Sequence, residues 1–196
     1  MQLEQFNSWV FDLDGTLTEP VHDFKHIRSE LGIEPEADIL SVIEGAPEIE
    51  RRTMMARLDE LELHYAALAQ PAEGAVELLA HLSRKKCKLG ILTRNSKELA
   101  LLSLQSIGAA EFFLPENVLG RDEAKPKPSP DGIITLLNQW NRGFMTAVMV
   151  GDFEFDLISG KSAGVATIHV DRSDRHWPEV TDIRISSLKE ITETFE

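Results

Sequence analysis

The sequence predicts an α/β fold: a parallel β-sheet with helices on both faces, and a small α-helical cap inserted near the N-terminus. Four short segments rich in β-branched and aromatic residues alternate with helical patterns, as βαβ units do. Polar residues close the first three of these segments. The stretch from about residue 19 to residue 70 contains helical patterns but no convincing strand, which indicates an insertion.

The predicted strands and helices follow one another along the chain. The strands are WVFDLD at 9–14, KLGILTR at 88–94, TAVMVGD at 146–152 and VATIHV at 165–170. The core helices cover 73–86, 96–107, 130–140 and 156–163. The second of these helices opens with Asn95 followed by Glu98, a spacing typical of a capping box. Parallel strands bring their carboxyl ends to one edge of a sheet, so the polar residues after them are expected to meet there.

The predicted cap spans residues 19–71, and residues 1–18 and 72–196 are predicted to form the α/β core. Pro20 and the segment 70–72 mark the boundaries, because prolines interrupt regular structure. An apolar stripe with steps of three and four indicates a cap helix that packs on a partner. Its members are Met54, Leu58, Leu61, Tyr65 and Leu68.

Composition excludes several classes of protein. The 196 residues are 42% hydrophobic and 27% charged, which is ordinary for a soluble globular chain. A net charge of −13 argues against nucleic acid or an anionic membrane as a partner. Cys87 is the only cysteine, so no intrachain disulfide can form. With no signal pattern and no apolar run of membrane-spanning length, a cytoplasmic location is expected.

Two aspartates, Asp12 and Asp14, close the first predicted strand. Alternation along an extended chain would turn both side chains to the same side, where their like charges resist simultaneous ionisation. A hairpin turn at Asp14-Gly15 is the alternative, but a helical pattern and not a second strand follows Thr18. Mg²⁺ prefers oxygen ligands, so a Mg²⁺ ion among these carboxylates would relieve the repulsion.

The strand ends and one loop together supply side chains suited to phosphate chemistry. Carboxylates can hold a cation, a hydroxyl and helix N-terminal amides can hold phosphate, and an ammonium group can neutralise it. The members are Asp12, Asp14, Gly15, Thr16, Thr93, Arg94, Asn95, Lys125, Lys127, Gly151, Asp152 and Asp156.

Four motifs in order make the chain similar to the haloacid dehalogenase-like hydrolase superfamily, in its phosphoglycolate phosphatase-like group with a helical cap. They are DLDGT at 12–16, LTRN at 92–95, KPSPDG from Lys127, and GDFEFD at 151–156. The resemblance covers nearly the whole chain. It implies a modified Rossmann-like core, Mg²⁺ as cofactor, and two-step phosphoryl transfer through an aspartyl phosphate.

The resemblance also implies which residues act on the substrate. Asp12 would be the nucleophile, and Asp14 would serve in turn as general acid and general base. Thr93 and the backbone amides of Arg94 and Asn95 would bind the phosphate.

A lysine and a metal complete the site that the resemblance implies. Lys127 would pair with the phosphate and with Asp12; the spacing of KPSPDG favours it over Lys125. Asp12, the carbonyl of Asp14, and Asp152 would hold Mg²⁺. Asp156 is either an acid favoured by the helix N-terminus or a support for the metal ligands. Phe153 stands where the family often has a small hydroxyl residue.

The predicted function is Mg²⁺-dependent hydrolysis of a small phosphomonoester, such as phosphoglycolate or a sugar phosphate. A phosphomutase of the β-phosphoglucomutase type is the nearest alternative, because it shares the core site. A non-catalytic phosphate-ligand-binding or regulatory protein is the alternative from another class. The expected partner is a small phosphorylated metabolite, and the sequence leaves its identity and the oligomeric state open.

Several histidines stand outside the four motifs. His22 and His26 lie four residues apart but lack the further ligands of a zinc site, so both are expected on the surface of a cap helix. His169, His176 and Trp177 follow the last predicted strand and could line the entrance to the site.

Overall fold

Six parallel strands form one sheet in a computed structural model that describes residues 3–171 and 175–195. The strand order is β3-β2-β1-β4-β5-β6, so the chain crosses from one half of the sheet to the other beside β1. The strands are β1 (Ser8–Phe11), β2 (Lys88–Leu92), β3 (Val118–Leu119), β4 (Ala147–Gly151), β5 (Ala166–Val170) and β6 (Ile183–Ile185). This doubly wound order is Rossmann-like and confirms the predicted fold class.

Eight α-helices are described. Three lie between β1 and β2: α1 (Phe24–Glu30), α2 (Ile39–Gly45) and α3 (Glu48–Ala67). The others are α4 (Ala75–Arg84), α5 (Lys97–Ser106), α6 (Asp131–Trp140), α7 (Glu154–Ala163) and α8 (Lys189–Thr194). Across residues 3–171 and 175–195, no helix has both the length and the apolar character needed to cross a bilayer.

The sheet buries apolar side chains on both faces. Trp9 and Phe11 point to the layer that contains α4, α5 and α8. Val10 points to the opposite layer, which contains α6 and α7. Because alternate residues of a strand face opposite sides, a strand that is covered on both sides needs the continuous apolar run that β1 has.

The three helices after β1 have a small apolar core of their own. Ile27, Ile43 and Leu58 are almost fully buried in it, and four members of the predicted stripe take part in that packing. Leu68 does not, because it is 53% exposed just after α3 ends. The chain leaves and rejoins the sheet side by side, through an antiparallel bridge between Thr18 and Pro71. The division into a core and a cap at residues 19–71 stays a prediction.

Two strands were missed, and the boundaries of several predicted elements shift by one to three residues. The largest shift is in β1, which ends at Phe11, so that Asp12 and Asp14 lie in the turn after the strand and not within it. The strands β3 and β6 were not predicted, because two or three residues at a sheet edge give too short a pattern to recognise. The N-cap of α5 is Ser96, whose hydroxyl accepts from the amide of Leu99. The predicted capping box at Asn95 is therefore wrong by one residue, and the side chain of Asn95 is used elsewhere.

Candidate active site

A tight turn at the end of β1 brings the first motif together with the loop after β4. The amide of Asp12 still pairs with the sheet, donating to the carbonyl of Val150 at 2.9 Å. Gly15 then adopts a φ of +90°, and a Cβ there would lie 2.8 Å from Oδ2 of Asp152. Only glycine allows this approach without strain. The hydroxyl of Thr16 consequently donates to Oδ1 of Asp152 at 3.3 Å.

Lys127 lies between two buried carboxylates. Its Nζ is 2.5 Å from Oδ1 of Asp12 and 2.6 Å from Oδ1 of Asp156. Burial opposes the charge of this lysine, but the two aspartates outweigh burial and raise its pKa. Lys125 is exposed, and its amide donates to Asp131. The structure thus brings Lys127, and not Lys125, to the end of β1.

Three carboxylates at this edge are close enough to share a cation. One oxygen each of Asp12, Asp152 and Asp156 lies within 4.8 Å of the others. Oxygen donors from two or three carboxylates suit Mg²⁺, so the residues fit the ion that the resemblance implies. Oδ2 of Asp156 also accepts from the amide of Phe153 at the start of α7, as the first of its two predicted alternatives requires, and its support of the metal ligands stays a prediction.

Crowding of acids in a buried site changes their protonation. Burial, with a further contribution from the charge of Asp12, raises the pKa of Asp14 to about 7. The same two causes raise the pKa of Asp152 to about 8 and that of Asp156 to about 6. A carboxyl group whose pKa lies near neutrality can both give and take a proton, as a general acid and base must.

The loop after β2 supplies the predicted phosphate-binding residues. Thr93 is buried, and its hydroxyl accepts from the amide of Asn95 at 3.1 Å. The side chain of Asn95 hydrogen-bonds to Asp14, and its Oδ1 accepts from the amide of Ser96. The amide of Asn95, predicted to hold phosphate, is therefore engaged by Thr93 in this structure. The guanidinium of Arg94 pairs with Asp38 at the start of α2.

His22 contacts the predicted general acid and base. Its Nδ1 lies 3.6 Å from Oδ1 of Asp14, and its side chain is only 6% exposed. The ring packs on Tyr65 and on Phe24, with centroids 4.8 Å and 5.6 Å away. Burial lowers the pKa of His22 to about 4, so the imidazole is neutral near pH 7. The expectation that His22 lies on a cap surface is wrong, whereas His26 is indeed exposed.

Comparison with known proteins decides the family. Residues 9–170 match the sequence model of haloacid dehalogenase-like hydrolases. The chain belongs to the haloacid dehalogenase-like hydrolase family. The family and the hydrolase class predicted from the four motifs are confirmed.

Relatives of this haloacid dehalogenase-like hydrolase match it along most of their length. A haloacid dehalogenase-like hydrolase domain-containing protein of Arabidopsis thaliana is 32% identical, over 92% of this chain and 76% of its own. An N-acetylmuramic acid 6-phosphate phosphatase of Pseudomonas aeruginosa is 25% identical, over 100% of this chain and 97% of its own. The crystal structure of a hydrolase from Pseudomonas syringae shares the fold, with a TM-score of 0.77, 17% identity, and coverage of 96% of this chain and 97% of its own.

The acidic cluster makes the stability of this hydrolase depend on pH. Without metal, the folded state keeps protons on Asp14, Asp152 and Asp156 that the unfolded state releases near pH 4. Their contribution to stability is complete below that pH and is lost progressively as the pH rises from about 4 to the folded-state pKa values of about 6 to 8. We expect the melting temperature in EDTA to fall across this interval.

Mg²⁺ should oppose this fall, because a cation among the carboxylates favours their ionised form. Thermal melts with EDTA and with Mg²⁺ at several pH values check both expectations. The Asp152→Asn variant is the control and should show a weaker response to both pH and Mg²⁺. A melting temperature that is constant or rises in EDTA would contradict the assignment of the cluster.

Replacing His22 with alanine should lower kcat more than it changes KM. The ring shields Asp14 from water, and its loss would leave the acid less buried and less well oriented. We expect a fall in kcat of roughly tenfold or more. His26→Ala, on the exposed side of α1, is the matched control and should behave like the native chain. Equal kinetics for both variants would show that His22 does not position Asp14.

An aromatic cluster lies beside the loop after β4. Trp177 packs on Phe153 with centroids 5.6 Å apart, and on the buried His169 at 5.2 Å. His176 is exposed and stacks at 6.4 Å from His169. Because Phe153 directly follows Asp152, the cluster flanks the acidic site. The structure thus brings Trp177 and His169 to its border.

Proposed function

We propose that this protein is a Mg²⁺-dependent phosphatase that hydrolyses a small phosphomonoester through an aspartyl-phosphate intermediate. The observation that carries the proposal is the contrast between two aspartates on one turn. Asp12 accepts a charge-assisted hydrogen bond from Lys127, whereas burial raises the pKa of Asp14 to about 7. Two neighbouring carboxyl groups in such different environments can divide the work of nucleophile and acid.

The first step transfers the phosphoryl group to Asp12. A carboxylate oxygen of Asp12 attacks phosphorus, and the bond between phosphorus and the ester oxygen breaks. Asp14, in its protonated form, gives its proton to the departing oxygen, so the product leaves as an alcohol. Lys127 stabilises the negative charge on the transferred group and holds Asp12 in place.

The second step returns Asp12 to its initial state. Asp14, now ionised, takes a proton from water, and the water oxygen attacks the phosphorus of the aspartyl phosphate. The bond between phosphorus and Asp12 breaks, and inorganic phosphate leaves. Thr93 and the amide of Arg94 are proposed to hold the phosphate oxygens during both steps.

Mg²⁺ is the cofactor that the donor set favours. Asp12 and Asp152 are proposed to hold it together with the carbonyl of Asp14, and Asp156 supports the ligands from the start of α7. When bound, the ion supplies positive charge to the phosphoryl oxygens. The relative from Pseudomonas aeruginosa, an N-acetylmuramic acid 6-phosphate phosphatase, supports a small phosphorylated compound as the substrate.

Phosphate release from a panel of phosphomonoesters tests the proposal. The panel contains phosphoglycolate, hexose phosphates and mononucleotides, each with Mg²⁺ and with EDTA. We expect release from at least one compound, lost in EDTA and restored by Mg²⁺. Conversion of a hexose 1-phosphate to its isomer without phosphate release would indicate a mutase. No change in any compound would overturn the proposal in favour of a binding protein.

A further inference from the structure

The side chain of Arg94 extends across the top of the site. Arg94 follows β2, yet its guanidinium carbon lies 4.9 Å from the ring centroid of Phe155, which follows β4. The strand β1 lies between β2 and β4 in the sheet. This contact joins the loop after β2 to the first turn of α7, and it therefore crosses the carboxyl end of β1, where Asp12 and Asp14 are.

The guanidinium of Arg94 forms an ion pair with a carboxylate of the protein itself. Nη2 of Arg94 donates to both oxygens of Asp38, at 2.8 Å and 2.6 Å. Asp38 is fixed in turn as the N-cap of α2, because it accepts from the amide and the hydroxyl of Ser41. Partial burial opposes ionisation of Asp38, but Ser41 and Arg94 outweigh it and lower the pKa of this carboxyl. The pair is thus charged at neutral pH.

A second arginine, Arg121, also pairs with acidic residues of the inserted segment. The side chain of Arg121 is only 4% exposed and donates to Glu62 at 2.9 Å and to Asp59, both on α3. It also donates to the carbonyl of Arg94 at 3.3 Å. Residues 19–71 as a whole contain twelve Asp and Glu residues against five Lys and Arg residues. This segment as a whole therefore carries an excess of negative charge.

These contacts restrict the charge that the alcohol part of a phosphomonoester substrate can carry. A substrate with a carboxylate or a second phosphate would have to displace Asp38 from Arg94 and then lie beside the displaced carboxylate. An alcohol leaving group leaves the ion pair intact and meets no repulsion. Selection against an unwanted ligand by a fixed like charge is a common source of specificity.

We propose that the Arg94–Asp38 pair selects phosphomonoesters of uncharged alcohols, such as sugars and other polyols, over those that carry a second anionic group. This inference rests on the proposed phosphatase function. It makes Asp38 a specificity-determining residue, although it lies outside the four motifs.

Matched substrates that differ by one carboxylate test the inference. The pairs are glycerol 3-phosphate with 3-phosphoglycerate, and glucose 6-phosphate with 6-phosphogluconate; phenyl phosphate serves as the general probe for turnover. The quantity measured is a ratio of two kcat/KM values. It divides kcat/KM for the phosphate ester of the uncharged alcohol by kcat/KM for the matched ester that also carries a carboxylate. This ratio does not depend on the fraction of correctly folded enzyme, so a destabilised variant still gives an answer.

Two variants should move the ratio in opposite directions. Asp38→Asn keeps an N-cap acceptor for Ser41 but frees Arg94, so the ratio should fall by roughly tenfold or more. Arg94→Gln leaves Asp38 unpaired, so the ratio should rise. Asp23→Asn is the matched control, because it removes the same charge from the exposed N-cap of α1. Its ratio should stay within about twofold of the native value.

The possible outcomes distinguish failure of this inference from failure of the proposed phosphatase function. The inference is supported if the native chain prefers the ester without the carboxylate in each pair and the two variants shift the kcat/KM ratio in opposite directions. Equal or better turnover of the carboxylates by the native chain, or an unchanged ratio in Asp38→Asn, overturns it and leaves the phosphatase function standing. Absence of phosphate release from all five compounds, phenyl phosphate included, overturns both.

Discussion

Asp12→Asn is expected to reduce phosphate release by roughly a thousandfold or more while the chain stays folded. An amide oxygen is too weak a nucleophile to attack phosphorus, so the aspartyl phosphate cannot form. Folding should be little affected, because Lys127 keeps Asp156 as a partner and one charge leaves a crowded acidic cluster. Phosphate release under single-turnover conditions, together with a thermal melt, measures both effects.

The control for Asp12 is the exposed Asp131 at the start of α6. Asp131→Asn removes the same charge from an exposed position, so this variant should keep the native rate of phosphate release. A non-catalytic phosphate-binding protein would behave differently, because its ligand affinity should survive the change at Asp12 and there would be no turnover to lose. Substantial phosphate release by Asp12→Asn would rule out this residue as the nucleophile.

Lys127→Met should have the largest effect on stability of any single change at the site. The ammonium group is the bridge between Asp12 and Asp156, and all three side chains are at least nine-tenths buried. Removal of one partner from a buried ion pair leaves the other charge uncompensated, which costs about 3–5 kcal/mol. We expect the free energy of unfolding in urea and EDTA to fall by that amount, and phosphate release to be lost.

Lys125→Met is the matched control for Lys127→Met. The two lysines are two residues apart in the same loop, but Lys125 is exposed. Its replacement should change the free energy of unfolding by no more than about 0.5 kcal/mol. Loss of activity in Lys125→Met with retention in Lys127→Met would reverse the assignment of the catalytic lysine.

The parts of this fold that could be predicted are those whose signal is local. β1, β2, β4 and β5 are buried in the sheet, so each is a run of apolar residues that can be recognised alone. The strands of a parallel sheet end at one edge, which is why the sequence alone predicts that Asp12, Thr93 and Asp152 lie close together. β3 and β6 owe their conformation to pairing with a neighbour, and two or three residues do not reveal that.

The contacts made by the inserted helices could not be predicted, because they depend on how those helices sit on the sheet. His22 stands eight residues after Asp14, but the spacing does not show that its ring returns to that carboxyl. Asp38 and Glu62 look like ordinary acids on helical segments until Arg94 and Arg121 are placed beside them.

The antiparallel bridge between Thr18 and Pro71 has a consequence for how such proteins diversify. The amide of Glu19 donates to the carbonyl of Gln70, and the amide of Ala72 donates to the carbonyl of Leu17, both at 2.9 Å. The two ends of the inserted segment are thus adjacent and tied together below it. A segment anchored in this way can be lengthened, shortened or replaced by a foreign one without moving β1 or α4. The same α/β sheet can therefore carry different inserted segments, and the bridge between Thr18 and Pro71 is where one segment would be exchanged for another.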